Sequence, residues 1–246
     1  MADTIAIIPA RLGSTRFPRK VLHLYRGKPL LEYVYDEVSR SKLIDQSVVA
    51  TDSMEVKRAV EDFGGQVVLT SKRHRTGSDR VAEAAKKFRG SIFVNIQADN
   101  FGVKARVLDR VILQMKKTAS ITFATFAYKL NSEKELRDPN LVKVVTASDG
   151  RALWFSRSPI PYVRDTDARR WTARHQFLGH IGIYFYRRSG LMQFARWKRA
   201  ALEKAESLEQ LRILENGGRM VVFRTKMQTV SVDVPQDVKK LDSIYK

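Results

Sequence analysis

The chain has 246 residues, enough to bury one sizeable core, and 43% of them are hydrophobic, which argues against disorder. It contains no cysteine, which excludes a disulfide scaffold, a thiolate metal site and a cysteine nucleophile. Its 45 Lys and Arg against 26 Asp and Glu give a net charge of +19, which favours an anionic partner such as a nucleoside triphosphate, an acidic sugar, nucleic acid or an anionic membrane. A basic surface with no functional cause accounts for the same number equally well.

Residues 1–4 carry no basic stretch, and the apolar run 5–8 is too short for a signal peptide or a membrane span. A cytoplasmic protein without stable membrane insertion is therefore expected. Hydrophobic periodicity predicts buried strands at 4–9, 47–51, 66–69 and 92–96. Helices fall between them. Pro29 opens one with Leu30, Leu31, Val34, Tyr35 and Val38 on a single face. A second spans 54–63, with Val56, Ala59, Val60 and Phe63 inward and Gly64-Gly65 ending it. Ser78 is the expected cap of a third running to 88, and Val107, Leu108, Val111, Ile112 and Met115 mark a fourth. This alternation predicts right-handed crossovers and an α/β fold, with a mainly parallel sheet covered on both faces. Ligands bind at the carboxyl ends of such strands, so the loops after Pro9, Thr51, Leu69 and Ile96 are the places to look.

The middle of the chain reads differently. Strands are predicted at 121–128, 142–146 and 152–155, with Asp149-Gly150 as a hairpin turn. Segment 157–175, rich in Arg, Pro and Asp, reads as a long loop. A strand follows at 182–186. Leu208, Leu211 and Leu214 line a helix that stops at Gly217-Gly218. A strand at 220–223 and a last helix from Pro235 through Val238 and Leu241 complete the chain. With no repeat or linker, 1–246 reads as one domain, in which 120–190 is the strand-rich part.

Three places carry candidate chemistry. The loop after the first strand contains Ala10, Arg11, Gly13, Ser14, Arg16, Arg19 and Lys20. Gly13 and Ser14 let backbone N–H groups approach a ligand, and the four cations can neutralise phosphate oxygens. The spacing is neither the dinucleotide G-x-G-x-x-G nor the G-x-x-x-x-G-K-[ST] phosphate loop, yet its position at a strand's carboxyl end favours polyphosphate binding. Asp99, just past the strand at 92–96, has the placement of a carboxylate that holds Mg²⁺ against a nucleotide. Asp233 ends a strand and precedes a helix, so it reads either as a helix cap or as a second metal ligand. Arg157, His180, Tyr184, Glu209 and Gln210 form a third group. A lone strand histidine is more often structural than catalytic, and Glu209 and Gln210 also fit the polar face of their helix.

Longer stretches resemble a known family. Ile7-Ile8-Pro9-Ala10-Arg11, Ser14-Thr15-Arg16, Pro18 and Lys20 are similar to the opening of bacterial CMP-Kdo synthetase, the 3-deoxy-manno-octulosonate cytidylyltransferase family. The likeness continues through Val49-Ala50-Thr51-Asp52, Thr76-Gly77-Ser78-Asp79-Arg80, the runs 139–145 and 155–161, His180 to Tyr184, Leu208 to Arg212, and Val232-Asp233 before Pro235-Gln236-Asp237. The resemblance implies a Rossmann-like nucleotide-diphospho-sugar transferase fold with a mixed central sheet. It implies a homodimer in which 120–190 serves sugar binding and dimerisation. It also implies transfer of CMP from CTP to the anomeric hydroxyl of Kdo or a related acidic sugar, releasing pyrophosphate, for lipopolysaccharide synthesis. By the same likeness Ala10, Arg11, Ser14, Arg16 and Lys20 would hold the triphosphate, and residues at Thr70 and Ser78 the nucleoside. Asp99 and Asp233 would hold Mg²⁺. Gln97, Arg157, His180, Tyr184, Glu209 and Gln210 would hold the sugar. Arg11, Lys20, Asp99 and Asp233 form the implied catalytic set.

The chain departs from the family pattern twice. Arg19 stands where glycine is usual; at positive φ an arginine costs about a kcal/mol or more, and it would add a cation beside the triphosphate. Gln97-Ala98-Asp99-Asn100-Phe101 replaces Gln-Gly-Asp-Glu-Pro, which points to a divergent member acting on Kdo or a modified relative. Two readings compete: a cytidylyltransferase for a sialic-acid-like sugar, and a non-catalytic nucleotide- or RNA-binding derivative. Nucleic acid is the less favoured partner because Lys20, Asp99, Arg157 and Asp233 all remain.

Overall fold

All seven residues of the first strand, β1 (Thr4–Ala10), are buried. Ile5 and Ile7 join one core, while Ala6, Ile8 and Ala10 join another. A strand apolar on both sides must lie inside a sheet with layers on both faces, and the computed structural model, described for residues 3–13, 16–74 and 76–245, has that arrangement. In chain order there follow a two-rung hairpin of β2 (Leu24–Tyr25) and β3 (Lys28–Pro29), α1 (Leu30–Ser39), β4 (Gln46–Thr51), α2 (Met54–Asp62) and β5 (Gln66–Leu69). Next come α3 (Gly77–Ala85), β6 (Ile92–Ile96), β7 (Asn100–Phe101), α4 (Ala105–Lys117), β8 (Phe123–Lys129), α5 (Glu133–Arg137), β9 (Lys143–Thr146) and β10 (Ala152–Ser156). The rest comprises α6 (Trp171–Arg174), β11 (Leu178–Arg187), α7 (Arg188–Arg196), α8 (Ala201–Glu206), α9 (Leu211–Glu215), β12 (Met220–Arg224) and β13 (Val230–Ser231).

The central sheet runs β10-β9-β11-β6-β1-β4-β5, with β8 on β11 and β12 on β8. It is mixed rather than mainly parallel. β6, β1, β4 and β5 are parallel to one another, as the alternating pattern predicts. β11 then docks antiparallel on β6 and β8, and β10 antiparallel on β9. The periodicity of single strands carries no information on which neighbour each will take, so it gives the parallel half alone, whereas the mixed sheet is what the resemblance implies. α1, α2 and α4 feed the core on one face of the sheet, and α3, α7 and α9 the core on the other. No helix among the described residues is long and apolar enough to cross a membrane.

Several local expectations need correction. Thr76, not Ser78, caps α3: its hydroxyl accepts from the Asp79 N–H, and Ser78 is buried inside the first turn. Segment 157–175 is not all loop. It contains a 3₁₀ turn (Ala168–Arg170) and α6, held by Trp171 against Leu130, Leu136 and Phe177 in a small satellite core. α9 begins only at Leu211, with Leu208 buried in the turn before it. The last helix is 3₁₀, Pro235–Ser243. α5, α7 and α8 were not foreseen.

Candidate active site

The loop after β1 is turned back by Arg19, whose φ of 58° and ψ of 21° are left-handed and whose N–H donates to the Leu12 carbonyl at 3.3 Å. A 3₁₀ turn (Lys20–Leu22) begins there and aims Lys20 across the carboxyl ends of β1 and β6. Lys20 Nζ donates to Asp99 Oδ2 and to the Val232 carbonyl, both at 2.7 Å, and lies 4.0 Å from Asp233 Oδ1. Arg16 Nη2 donates to Asp233 Oδ1 at 3.1 Å.

A short ladder brings the two aspartates together. β7 pairs antiparallel with β13, Asn100 opposite Ser231 and Phe101 opposite Val230. The Val232 N–H donates to the Asp99 carbonyl at 3.4 Å, so Asp99 and Asp233 lie beyond the same end of that ladder. Asp233 is not a helix cap. Asp237 Oδ2 accepts the N–H groups of Asp233 and Val234 at 2.9 and 3.2 Å, which leaves the Asp233 carboxylate to the two cations and to Ser231.

These groups open onto a cavity of about 460 Å³, lined among others by Ala10, Arg11, Gly13, Arg16, Lys20, Gln97, Asp99, Glu209 and Asp233. Ser14 lies outside the described residues. The cavity wall also includes His74, Thr76, Gly77 and Arg80, which sequence reasoning did not single out as site residues. Arg80 is buried. Its Nη1 donates to Thr70 Oγ1 at 2.6 Å and its Nη2 to Asp52 Oδ2 at 3.0 Å. The run Thr76–Arg80 was visible, but only the fold reveals that its arginine turns back to the ends of β4 and β5. Thr70 thus stands behind Arg80 and not on the cavity wall.

Opposite the cations, Glu209 accepts the N–H groups of Gly77 at 3.3 Å and Ser78 at 3.0 Å, placing a carboxylate at the positive end of α3. Burial pushes its pKa up, against the pull of the Ser78 donors. A Cβ on Gly77 would meet the Gln97 amide at 3.0 Å, so the glycine lets the helix approach that side chain. Gln97 Nε2 donates to Asn95 Oδ1 at 3.1 Å, and Asn95 Nδ2 donates to Ser78 Oγ at 3.2 Å. Ser78 is therefore fully buried one layer behind the wall.

The remaining expected sugar residues do not line this cavity. Tyr184 donates to Gln210 Oε1 at 3.0 Å, and burial raises its pKa well above the ordinary tyrosine value. Gln210 Nε2 is buried without a hydrogen-bond partner among the described residues. The His180 ring packs 5.0 Å from Phe155 and 5.5 Å from Tyr184, and its Nε2 lies 2.9 Å from Thr125 Oγ1. Burial pushes its pKa down to about 3, so it is neutral. Arg157 Nε donates to the Glu206 carbonyl at 2.7 Å, and Nη1 to the Pro139 carbonyl at 2.8 Å.

The two departures now have structural readings. Arg19 does sit at positive φ, but its guanidinium pairs with Glu55 on α2, so it adds no cation to the cavity. Ala98 lies on the cavity wall, Asn100 Nδ2 donates to the Gly182 carbonyl at 3.3 Å, and Phe101 is wholly buried in the core.

Comparison with known proteins agrees with this fold. A cytidylyltransferase family model matches residues 5–227. The chain is 42% identical to a 3-deoxy-manno-octulosonate cytidylyltransferase of Geobacter sulfurreducens, covering 96% of each chain. It is 43% identical to that of Geobacter metallireducens, over 96% of this chain and 95% of the relative. A solved CMP:2-keto-3-deoxy-manno-octonic acid synthetase complexed with CTP superposes with a TM-score of 0.91 at 34% identity, covering 99% and 98% of the two chains. A Leptospira borgpetersenii cytidylyltransferase, 17% identical with a TM-score of 0.64, shares the fold. With a nucleotide-diphospho-sugar transferase fold and matches of this length, the chain belongs to the 3-deoxy-manno-octulosonate cytidylyltransferase family.

Proposed function

We propose that this chain transfers the cytidylyl group of CTP to the anomeric hydroxyl of Kdo, releasing pyrophosphate, as a step toward lipopolysaccharide. The observation that carries the reading is the convergence of Lys20, Arg16, Asp99 and Asp233 at the carboxyl ends of β1 and β6, in a chain whose relatives bear that activity in their names. The hydroxyl oxygen forms a bond to the α-phosphorus and loses its proton, while the bond from that phosphorus to the bridging oxygen breaks. Negative charge grows on the phosphoryl oxygens and on the leaving group. Lys20, Arg16 and Arg11 stand where that charge develops and need little reorganisation to meet it. No protein nucleophile is required.

The donor set fits Mg²⁺. Two carboxylates already converge on one cation, the Lys20 ammonium, and Mg²⁺ is commonly held by one or two carboxylates plus substrate phosphates. Asp99 and Asp233 would hold it, and it would supply further neutralisation of the triphosphate. On the sugar side, Gln97 and Glu209 face the cavity. Gln210 offers an unpaired amide donor, which is expensive to leave unmet and suits a hydroxyl-rich ligand. Arg157, His180 and Tyr184 would complete that end, and Arg157 would meet the sugar carboxylate as a fork after leaving its two carbonyl partners. Thr70 and Ser78 would act on the nucleoside through the groups in front of them. We further infer one cytoplasmic domain that pairs with a second copy through the 120–190 part, where Leu153 is 50% and Tyr162 75% exposed.

Pyrophosphate release from CTP and Mg²⁺, with and without Kdo, tests the reaction. Kdo-dependent release that Asp99→Ala abolishes supports it. Release with a sialic-type sugar or an amino-substituted Kdo alone would move the assignment to that sugar.

A further inference from the structure

Glu37 is a buried carboxylate on α1, outside the cavity wall. Its Oε1 accepts the Gly102 N–H and its Oε2 the Val103 N–H, both at 3.0 Å, and the Tyr245 hydroxyl donates to Oε1 at 2.6 Å. Gly102 follows β7 directly, with φ of +81°, and a Cβ there would meet Ile244 at 3.2 Å. Tyr245 closes the segment that begins immediately after Asp233, and its ring packs 4.7 Å from that of Tyr33 on α1. One carboxylate therefore holds both chain segments from which the two aspartates project. The strand that follows Asp99 is fixed through Gly102 and Val103, and the segment after Asp233 through Tyr245.

We propose that Glu37 is a positioning residue that sets the separation and orientation of Asp99 and Asp233, and through them the retention of a divalent cation with CTP. This rests on the reading of Asp99 and Asp233 given above. The physical reason is that the β7–β13 ladder has two rungs, extended by the Val232 N–H bond to the Asp99 carbonyl and by Asp237 on the Asp233 side, and Glu37 ties both sides of it to α1. A group that accepts three donors from both sides of the ladder removes the freedom that remains. Its effect falls on the metal and triphosphate end, because its partners Gly102, Val103 and Tyr245 hold the segments next to Asp99 and Asp233 and, among the described residues, make no hydrogen bond to the side chains of Gln97, Glu209 or Gln210.

The test compares the full chain with Glu37→Gln and Tyr245→Phe. Free Mn²⁺ is read by electron paramagnetic resonance with CTP and no sugar, alongside KM for CTP, KM for Kdo and thermal midpoints. Glu37→Gln keeps the side-chain volume but removes the charge and sets an amide against a backbone N–H. It is expected to weaken Mn²⁺ retention by about tenfold or more, the range seen for groups that orient metal ligands. KM for CTP should rise in step while KM for Kdo stays unchanged. Tyr245→Phe should move the same quantities by about two- to threefold, as the loss of one hydrogen bond does. A lowered thermal midpoint with unchanged Mn²⁺ retention and KM for CTP would overturn the proposal. If Glu37→Gln does not fold, Tyr245→Phe decides, and no loss of Mn²⁺ retention there overturns it. Asp99→Ala run in parallel separates the two failures. If it leaves Mn²⁺ retention intact, the aspartate site itself is wrong; if it abolishes retention while Glu37→Gln does nothing, only the role of Glu37 falls.

Discussion

Lys20 Nζ sits 2.7 Å from Asp99 Oδ2 with only 11% of its side chain exposed, reached from a turn that a left-handed Arg19 sets in motion. A lysine so placed is a poor surface ion pair and a good electrostatic tool: screened from water, it faces the space where a triphosphate would lie. Lys20→Ala should lower kcat/KM for CTP by about 10²–10³, the size of losing one preorganised charge-stabilising donor. Pyrophosphate-release kinetics check this, and a loss of less than tenfold would remove Lys20 from the catalytic set.

Arg19 gives the converse prediction. Its backbone is strained, and its guanidinium pairs with Glu55 outside the cavity. Arg19→Gly should relieve about 1 kcal/mol of backbone strain, partly offset by the greater freedom of glycine in the unfolded chain. KM for CTP should be unchanged. Urea unfolding and steady-state kinetics test the two halves separately, and a raised KM would place Arg19 at the triphosphate after all.

Arg212 anchors the segment that carries Glu209. Its Nη2 lies 2.6 Å from Glu203 Oε1 and its Nη1 2.9 Å from Asp79 Oδ1, with 2% of the arginine side chain and 1% of Glu203 exposed. Arg212→Met takes from buried Glu203 its closest cation and from Asp79 its partner, leaving Glu203 the half-buried Arg199 at 3.3 Å, which should cost about 3 kcal/mol, the low end for breaking a buried pair. Chemical denaturation reads this directly. A change below about 1 kcal/mol would mean that Arg199 or water takes over the Glu203 charge.

His180 sets a pH dependence of stability. Burial holds its folded pKa near 3, below the ordinary 6.5. The unfolded chain therefore takes up this proton first, so stability falls as pH drops through 6.5 and continues to fall until about 3. The slope from one such group is at most about 1.4 kcal/mol per pH unit. Relative to the parent, His180→Gln should lose less stability between pH 6 and pH 4, measured by urea unfolding at each pH. Parallel curves would show that the ring is solvated.

The parts legible in the sequence were those whose cause is local. β1, β4 and β6 are apolar on both faces and so announce a covered sheet, and the cations and Asp99 follow strand ends directly. α5 has a local cause as well, since Ser132 and Glu135 form a capping box whose spacing is plain in the sequence. α7 gave little to read, since only Gly190, Leu191 and Phe194 of its nine residues are buried. Arg80 and Glu37 depend on partners far along the chain, and no local pattern marks an arginine that will turn inward or a glutamate that will receive three donors. Trp171, with Val163 packed beside it, pulls a polar stretch into a core, and the Arg and Asp around them outweigh them in composition.

The ladder between β7 and β13 also has a meaning for biosynthesis. The sheet draws its strands from residues 4–224, and Asp233 lies beyond its last strand. A nascent chain can thus complete its sheet while the site still lacks the Asp233 carboxylate. Asp233 and Tyr245 leave the ribosome after the last strand of the central sheet, so a chain halted at residue 229 would keep every strand of that sheet and be unable to assemble the site.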